Sequence, residues 1–188
     1  MLLESGYTRL TGTDYSEPAV DLARKIMESK ESDININFIQ SDILSDSAAE
    51  DIFSSIRELD SASKDSSFRD VSSFDIVLDK GTFDAISLSP KEQKDQDALD
   101  SKQTFDKTEN SKVMQVDLDA RKKYSRNIRR LMHSKSIFLI TSCNWTEAEL
   151  SELFEDDFEL VGRIKHPSFT FGGVTGSTVS SVAFRIKP

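Results

Sequence analysis

Cysteine is almost missing from this chain. Cys143 stands alone among 188 residues, so no disulfide can close within it. That usage suits a reducing compartment and leads to the expectation of a cytoplasmic protein. Histidine is nearly as scarce. His133 and His166, with one cysteine, provide no metal-ligand spacing, and no metal is expected. No run of about 18 apolar residues occurs, so no membrane-spanning helix is indicated. The opening MLLESGYTRL has neither a basic leader nor a long apolar stretch and does not read as a secretory signal. Bases are outnumbered, 24 against 33 acids, giving a net charge of −9. A chain of that sign is poorly suited to gripping a phosphate backbone, and no nucleic acid partner is expected. A basic protein or a small ligand is compatible with it.

What is present is enough for one domain, 1–188, with a sizeable core. Charged residues make up 30% of the chain, above the ~25% of an average globular protein. The excess collects in two polar stretches, about 61–73 and 91–116. The second has almost no apolar content and reads as a flexible insertion.

Between these stretches, short apolar runs alternate with amphipathic ones. A strand ends at Asp14. Helical spacing follows in Val20, Ala23, Ile26 and Met27, with Ser16 as a plausible N-cap and Pro18 in the first turn. Ile34, Ile36 and Phe38 alternate as in a strand, and Ile52, Phe53, Ile56 and Leu59 share a helix side. A strand over 74–79 comes next. A helix over 117–132 then turns Tyr124, Ile128, Leu131 and Met132 inward, leaving six bases as a solvated face. After it come a buried strand over 136–144, a helix from Trp145, and two late strands separated by Gly172, Gly173 and Gly176. This order predicts an α/β domain with a mainly parallel sheet.

The strand ends carry the chemistry. Two acids, a lysine and a glycine crowd into Asp79–Lys80–Gly81–Thr82–Phe83–Asp84, more than packing requires. Asp14 and Asp42 close the two earlier strands, and Ser142–Cys143–Asn144 closes the next. In parallel sheets ligands lie beyond the carboxyl ends of strands, so these positions form one candidate site. Each has a plainer role too. Asp14 can end a strand or cap a helix, Asp42 can shape a loop, and Trp145 can anchor the core. Cys143 reads as a small buried residue, since no histidine partners it.

The segments LTGTDYSEPAVDLA, FDIVLDKGTFDAISL, FLITSCNWTEAEL and FTFGGVTGSTVSSVAF together resemble the seven-β-strand, S-adenosylmethionine-dependent methyltransferases. More narrowly, they are similar to the protein-lysine methyltransferases that act on translation elongation factor 1-alpha. The resemblance implies a Rossmann-like class I methyltransferase sheet, mainly parallel, with an antiparallel C-terminal hairpin strand. It implies a monomer whose cofactor is S-adenosyl-L-methionine and whose partner is elongation factor 1-alpha. Asp14 would accept from the cofactor's ribose hydroxyls, with Tyr15 beside the adenosine. Asp42 would accept from the adenine amino group, and Ile43 would flank the ring. Asp79 would stand where cofactor and acceptor lysine meet, above a floor shaped by Lys80, Gly81, Thr82 and Phe83. Asn144 and Trp145 would line the acceptor entrance, and Phe169–Gly173 would lie in the last hairpin on the substrate side. Family members also have a first strand and a D-x-G-x-G loop, which nothing before LTGTD supplies; both are expected to be missing. A non-catalytic, methyltransferase-like binding module is therefore an alternative. A small-molecule or nucleic-acid methyltransferase is another, though DKGTFD lacks the N-P-P-[YFW] pattern of many of the latter.

Overall fold

In the computed structural model, residues 2, 5–30, 36–62, 71–88, 118–167, 169–171, 174–176 and 178–188 are described. Their order is β1 (Leu10–Asp14), α1 (Glu17–Glu28), β2 (Ile36–Gln40), α2 (Ala48–Ala62), β3 (Phe74–Lys80), α3 (Thr82–Leu88), α4 (Leu118–Arg130), β4 (Met132–Ser142), α5 (Glu147–Phe154), β5 (Phe158–Ile164), β6 (Phe169–Phe171), β7 (Val174–Gly176) and β8 (Ser180–Ile186). The expected insertion over 91–116 lies outside the described residues, as do residues 63–70 of the stretch 61–73.

The strands form three groups. β1 pairs in parallel with β2, placing Gly12 opposite Phe38. A Cβ on Gly12 would sit 2.9 Å from the Phe38 ring, so a bare backbone there lets the aromatic cover the strand. A four-stranded sheet has the order β3-β4-β8-β5. β3 and β4 run in parallel, whereas β8 lies antiparallel to both β4 and β5. β8 alone thus opposes the direction of its sheet, as expected for a mainly parallel sheet with an antiparallel C-terminal strand. β6 and β7 make a short antiparallel hairpin. Among the described residues, one edge of β1 and one edge of β3 have no strand neighbour.

α4 follows its apolar spacing: Tyr124, Ile128 and Leu131 are buried, with Met132 just beyond them. Met132 begins β4 instead of ending the helix, so the strand starts earlier than its sequence suggests. The basic face of α4 is tied down, not merely solvated. Arg126 pairs with Asp46, Arg130 donates to the Asp46 carbonyl, and Arg129 donates to the Asp157 carbonyl. On α1 only Val20 is fully buried, and Ile26 is exposed. The two-stranded β1–β2 sheet is too narrow to cover the expected stripe. Leu59 on α2 is likewise exposed, while Ile52, Phe53 and Ile56 are buried.

Two clusters make the core. One gathers Phe83, Tyr124, Phe138, Phe154, Phe158 and Phe184, with neighbouring ring centroids 4.9–6.3 Å apart. Aromatic pairs of this kind add about 0.5–1.5 kcal/mol each beyond the area they bury. The other joins Ile39 of β2, Ala49, Ile52, Phe53 and Ile56 of α2, and Leu131 at the end of α4. Ile43 and Val77 pack against both clusters.

Candidate active site

The carboxyl ends of β1, β2 and β3 open on one cavity of about 1200 Å³. Thr13, Asp14 and Tyr15 line it from the end of β1 and just beyond, Ser41–Leu44 from the turn after β2, and Val77–Thr82 from β3 and the start of α3. Tyr124 and Ile128 of α4 and Leu131 just after it also line the cavity. Five expected site residues, Asp14, Tyr15, Asp42, Ile43 and Asp79, therefore meet at one place. The expected floor residues Lys80, Gly81 and Thr82 line it too.

Each acid is held by its own loop. Asp14 Oδ1 accepts the Ser16 N–H at 2.8 Å, turning the chain into α1. Ser16 occupies the N-cap position, but its own side chain makes no capping bond. The Asp14 carbonyl accepts the Ser41 N–H, fastening the ends of β1 and β2 together. Tyr15 is largely exposed at the rim, and the Gln40 amide donates to its carbonyl. Asp42 Oδ1 accepts the Leu44 N–H at 2.9 Å.

Asp79 differs from these exposed acids because it is buried. Its Oδ1 accepts the Thr82 N–H, and its Oδ2 accepts the Phe83 N–H, each at 3.1 Å. The Tyr124 hydroxyl donates to Oδ2 as well. Asp79 thus caps α3 from within the preceding strand. Gly81, at φ +93°, makes the left-handed turn that brings those N–H groups back onto it. Burial raises the Asp79 pKa above its ordinary 3.8, against the lowering effect of its three donors. Burial and the Asp79 charge push the Tyr124 phenol well above its usual range, so the hydroxyl keeps its proton and donates.

Three expected residues lie off the cavity. Phe83 is fully buried in the aromatic cluster, against Tyr124 and Phe154. It faces the core because α3 begins at Thr82, turning the next residue inward. Asn144 and Trp145 follow β4 and are not among the lining residues, and Trp145 packs on Phe83 at 6.3 Å. Cys143 is exposed rather than buried, since it lies past the last strand residue. Gly172 and Gly173 of the expected Phe169–Gly173 segment lie outside the described residues.

Two positions have partners that the sequence does not reveal. Asn127, fully buried on α4, donates from Nδ2 to the carbonyls of Ile43 at 2.8 Å and Ser45 at 2.7 Å. It pins the turn that carries Asp42. Asp84 has a comparable place beneath the 142–145 turn. A buried polar residue on an otherwise apolar helix face is the one sequence signal for Asn127.

A family model described as a methyltransferase domain matches residues 3–179. The chain belongs to the methyltransferase-domain family. It is 33% identical over 184 residues to EEF1A lysine methyltransferase 2 of Danio rerio, covering 98% of this chain and 59% of that protein. It is 37% identical over 177 residues to protein-lysine N-methyltransferase EFM4 of Saccharomyces cerevisiae, covering 94% of this chain and 59% of the relative. The chain thus spans less than two thirds of the length of the curated relatives it matches. Among solved structures it is similar to the PH0226 protein of Pyrococcus horikoshii, with a TM-score of 0.57 at 14% identity, covering 99% of this chain and 75% of that one. A TehB-like methyltransferase of Corynebacterium glutamicum gives 0.52 at 14% identity, covering 95% and 68%. These likenesses establish the Rossmann-like methyltransferase fold. Among the described residues, no helix is long and apolar enough to cross a membrane.

Proposed function

We propose that this methyltransferase domain serves in S-adenosylmethionine-dependent N-methylation of a protein lysine, with translation elongation factor 1-alpha as the substrate. The observation that carries the reading is the convergence of Asp14, Asp42 and Asp79 on one cavity. Two relatives named as lysine methyltransferases, one of them for EEF1A, support the substrate.

The residues fit the cofactor's nucleoside half. Asp14 and Asp42 present carboxylate acceptors to hydroxyl and amino hydrogens, and the apolar Ile43 and Leu44 line the same cavity for an aromatic ring. When bound, S-adenosylmethionine supplies an electrophilic methyl group on a positively charged sulfur. Asp79 is held as a fixed group at the cavity wall by the Thr82, Phe83 and Tyr124 donors, which leave one of its roughly four acceptor positions, on Oδ1, unused. Its role is to orient and to hold negative charge where cations meet. An incoming lysine, with an ordinary pKa near ~10.4, loses its proton more readily in an apolar, cation-bearing site. Alignment then supplies most of the acceleration, as effective molarities can reach roughly 10⁵–10⁸ M. Asn144 and Trp145 line the acceptor's approach beyond the cavity. The net charge of −9 draws a basic protein substrate by long-range attraction. The protein works as a cytoplasmic monomer in this reading.

Among the described residues one edge of β1 and one edge of β3 have no strand neighbour, and a second reading is a partner-binding module that takes no cofactor. Calorimetric titration with S-adenosylmethionine separates the two. Methyl transfer to purified elongation factor 1-alpha, followed by mass spectrometry of its lysines, tests the first. Cofactor binding with a modified lysine is expected. Cofactor binding with no modified lysine overturns the substrate, and no cofactor binding overturns the activity.

A further inference from the structure

We infer that Asp84, with Ser142 and Ser87, is a positioning unit that sets the 142–145 turn, and hence Asn144 and Trp145, for the methyl acceptor. The inference rests on the proposed reading of the site and adds a residue group that does not itself reach the cavity.

Asp84 is buried in α3, five residues past Asp79, yet none of its bonds go to the cavity side. One carboxylate oxygen accepts the Ser142 hydroxyl, and the other accepts the Cys143 N–H at 2.9 Å. The Ser142 hydroxyl has one hydrogen and two acceptor positions, and all are used. It gives the hydrogen to Asp84 and accepts the N–H of Asn144 at 3.0 Å and of Trp145 at 2.9 Å. The Trp145 indole N–H donates to Ser87 Oγ at 2.9 Å, and Ser87 Oγ donates to the Asp84 carbonyl at 3.2 Å. Three successive backbone N–H groups and one indole are thus wired to a single helical turn.

The wiring needs a carboxylate. Two donors, the Ser142 hydroxyl and the Cys143 N–H, face two acceptor oxygens. An asparagine offers one oxygen and one NH₂, so one of those partners must meet a donor or an oxygen whose acceptor positions are already taken. The turn would then be released on one side, without loss of the aromatic cluster beneath it. Because α3 also carries the Thr82 and Phe83 N–H groups that bind Asp79, one seven-residue helix ties the cavity wall to the acceptor turn.

The test uses Asp84→Asn, Ser87→Ala and Ser142→Ala. Trp145 is the chain's one tryptophan, so selective tryptophan emission reports this turn directly and needs no activity. Asp84→Asn is expected to raise the acrylamide quenching of Trp145, and Ser87→Ala to raise it less. In kinetics, kcat/KM for the protein acceptor should fall about tenfold or more, in line with the cost of slight misplacement. The affinity for S-adenosylmethionine should stay within about twofold, since Asp14 and Asp42 are untouched. The Asp84→Asn/Ser142→Ala double variant should lose less than the sum of its parts, because both break one network. Should Asp84→Asn fail to fold, Ser87→Ala carries the same quenching and kinetic readouts. Unchanged Trp145 quenching in the folded variants overturns the wiring. Parallel loss of acceptor and cofactor parameters overturns the positioning role. If the unaltered protein transfers no methyl group, the proposed function falls while the quenching result still judges the turn.

Discussion

Replacing Asp79 tests how far its work in capping α3 can be separated from its work at the cavity. Asp79→Ala strips the acceptor from three donors at once. The Thr82 N–H lies near the surface and can turn to water. The Phe83 N–H and the Tyr124 hydroxyl cannot, because both residues are fully buried. Each buried donor left without a partner costs about 1–3 kcal/mol, and some of that returns because a carboxylate no longer has to be buried. A net loss of about 2–4 kcal/mol is expected, which lowers Tm by roughly 5–15 °C for a domain of this size. Asp79→Asn keeps one oxygen for the two buried donors and gives up the exposed Thr82 bond, so it should cost only about 1 kcal/mol.

The two variants therefore differ in stability, while both lose the negative charge. Methyl transfer measured below either Tm should fall at least about tenfold in both, as for loss of a positioned polar group at the reacting centre. Asp79→Asn with normal turnover would refute any role beyond the cap. The acid limb of stability gives an independent check. Burial raises the Asp79 pKa, so the native state holds its proton more tightly than the unfolded chain. That contribution is complete below the ordinary value of 3.8 and is lost as pH climbs through the raised native value. Asp79→Asn should abolish this fall in chemical-denaturation profiles. Tyr124→Phe should move it to higher pH, because one donor to the carboxylate is gone.

Three further outcomes are expected. Asp14→Ala should weaken S-adenosylmethionine binding by roughly 1.5–3 kcal/mol, the range for hydrogen bonds to a charged group; unchanged calorimetric affinity in a folded variant rules the ribose role out. Asn127→Asp turns a double donor into a carboxylate facing the carbonyls of Ile43 and Ser45, so cofactor affinity should fall about tenfold or more; equal affinity would show that the Asp42 turn does not depend on it. Thr146→Ala breaks the capping box in which Thr146 and Glu149 bond each other's backbone N–H, and should cost ~1 kcal/mol in chemical denaturation; no loss would mean packing of Leu150 and Phe154 alone holds α5.

The legible part of this molecule is what local pattern can carry. Strand and helix periods differ, so the alternating order survives in the sequence through β5 and β8. Acids at or just past the ends of apolar strands collect at the ligand-binding edge of a parallel sheet, which is why Asp14, Asp42 and Asp79 stand out and do meet. What was illegible depends on distant partners. Asn127 acts on residues more than 80 positions away, and Asp84 acts on residues nearly 60 away. α3 is hidden because its capping residue, Asp79, lies inside the preceding strand, so the segment looks like a strand end running into a turn. The inward rotation of Phe83 follows from that hidden helix start. The exposure of Ile26 and Leu59 has another cause. Periodicity shows which side of a helix is apolar, but not how wide a surface exists to cover it.

The cavity's construction explains why α4 matters more than its polar composition suggests. Asp14 and Asp42 belong to the β1–β2 pair, whereas Asp79 belongs to the four-stranded sheet, and no ladder of hydrogen bonds joins the two groups among the described residues. Their spacing is set instead through α2 and α4. Ile39, Ala49, Ile52 and Ile56 pack with Leu131, Asn127 holds the Ile43–Ser45 turn, and Arg126 and Arg130 grip Asp46. On its other side α4 sends Tyr124 to Asp79, and Ser125 and Arg129 to Asp157 at the start of β5. One helix of thirteen residues thus touches both halves of the acid set. Exposed arginine pairs contribute little singly, about 0–1 kcal/mol, so the buried groups Asn127, Tyr124 and Leu131 carry the coupling. A polar residue placed without loss of stability on the outer face of α4 should leave the cavity intact, whereas any change that rotates this helix must alter the distance between the acids of β1 and β3.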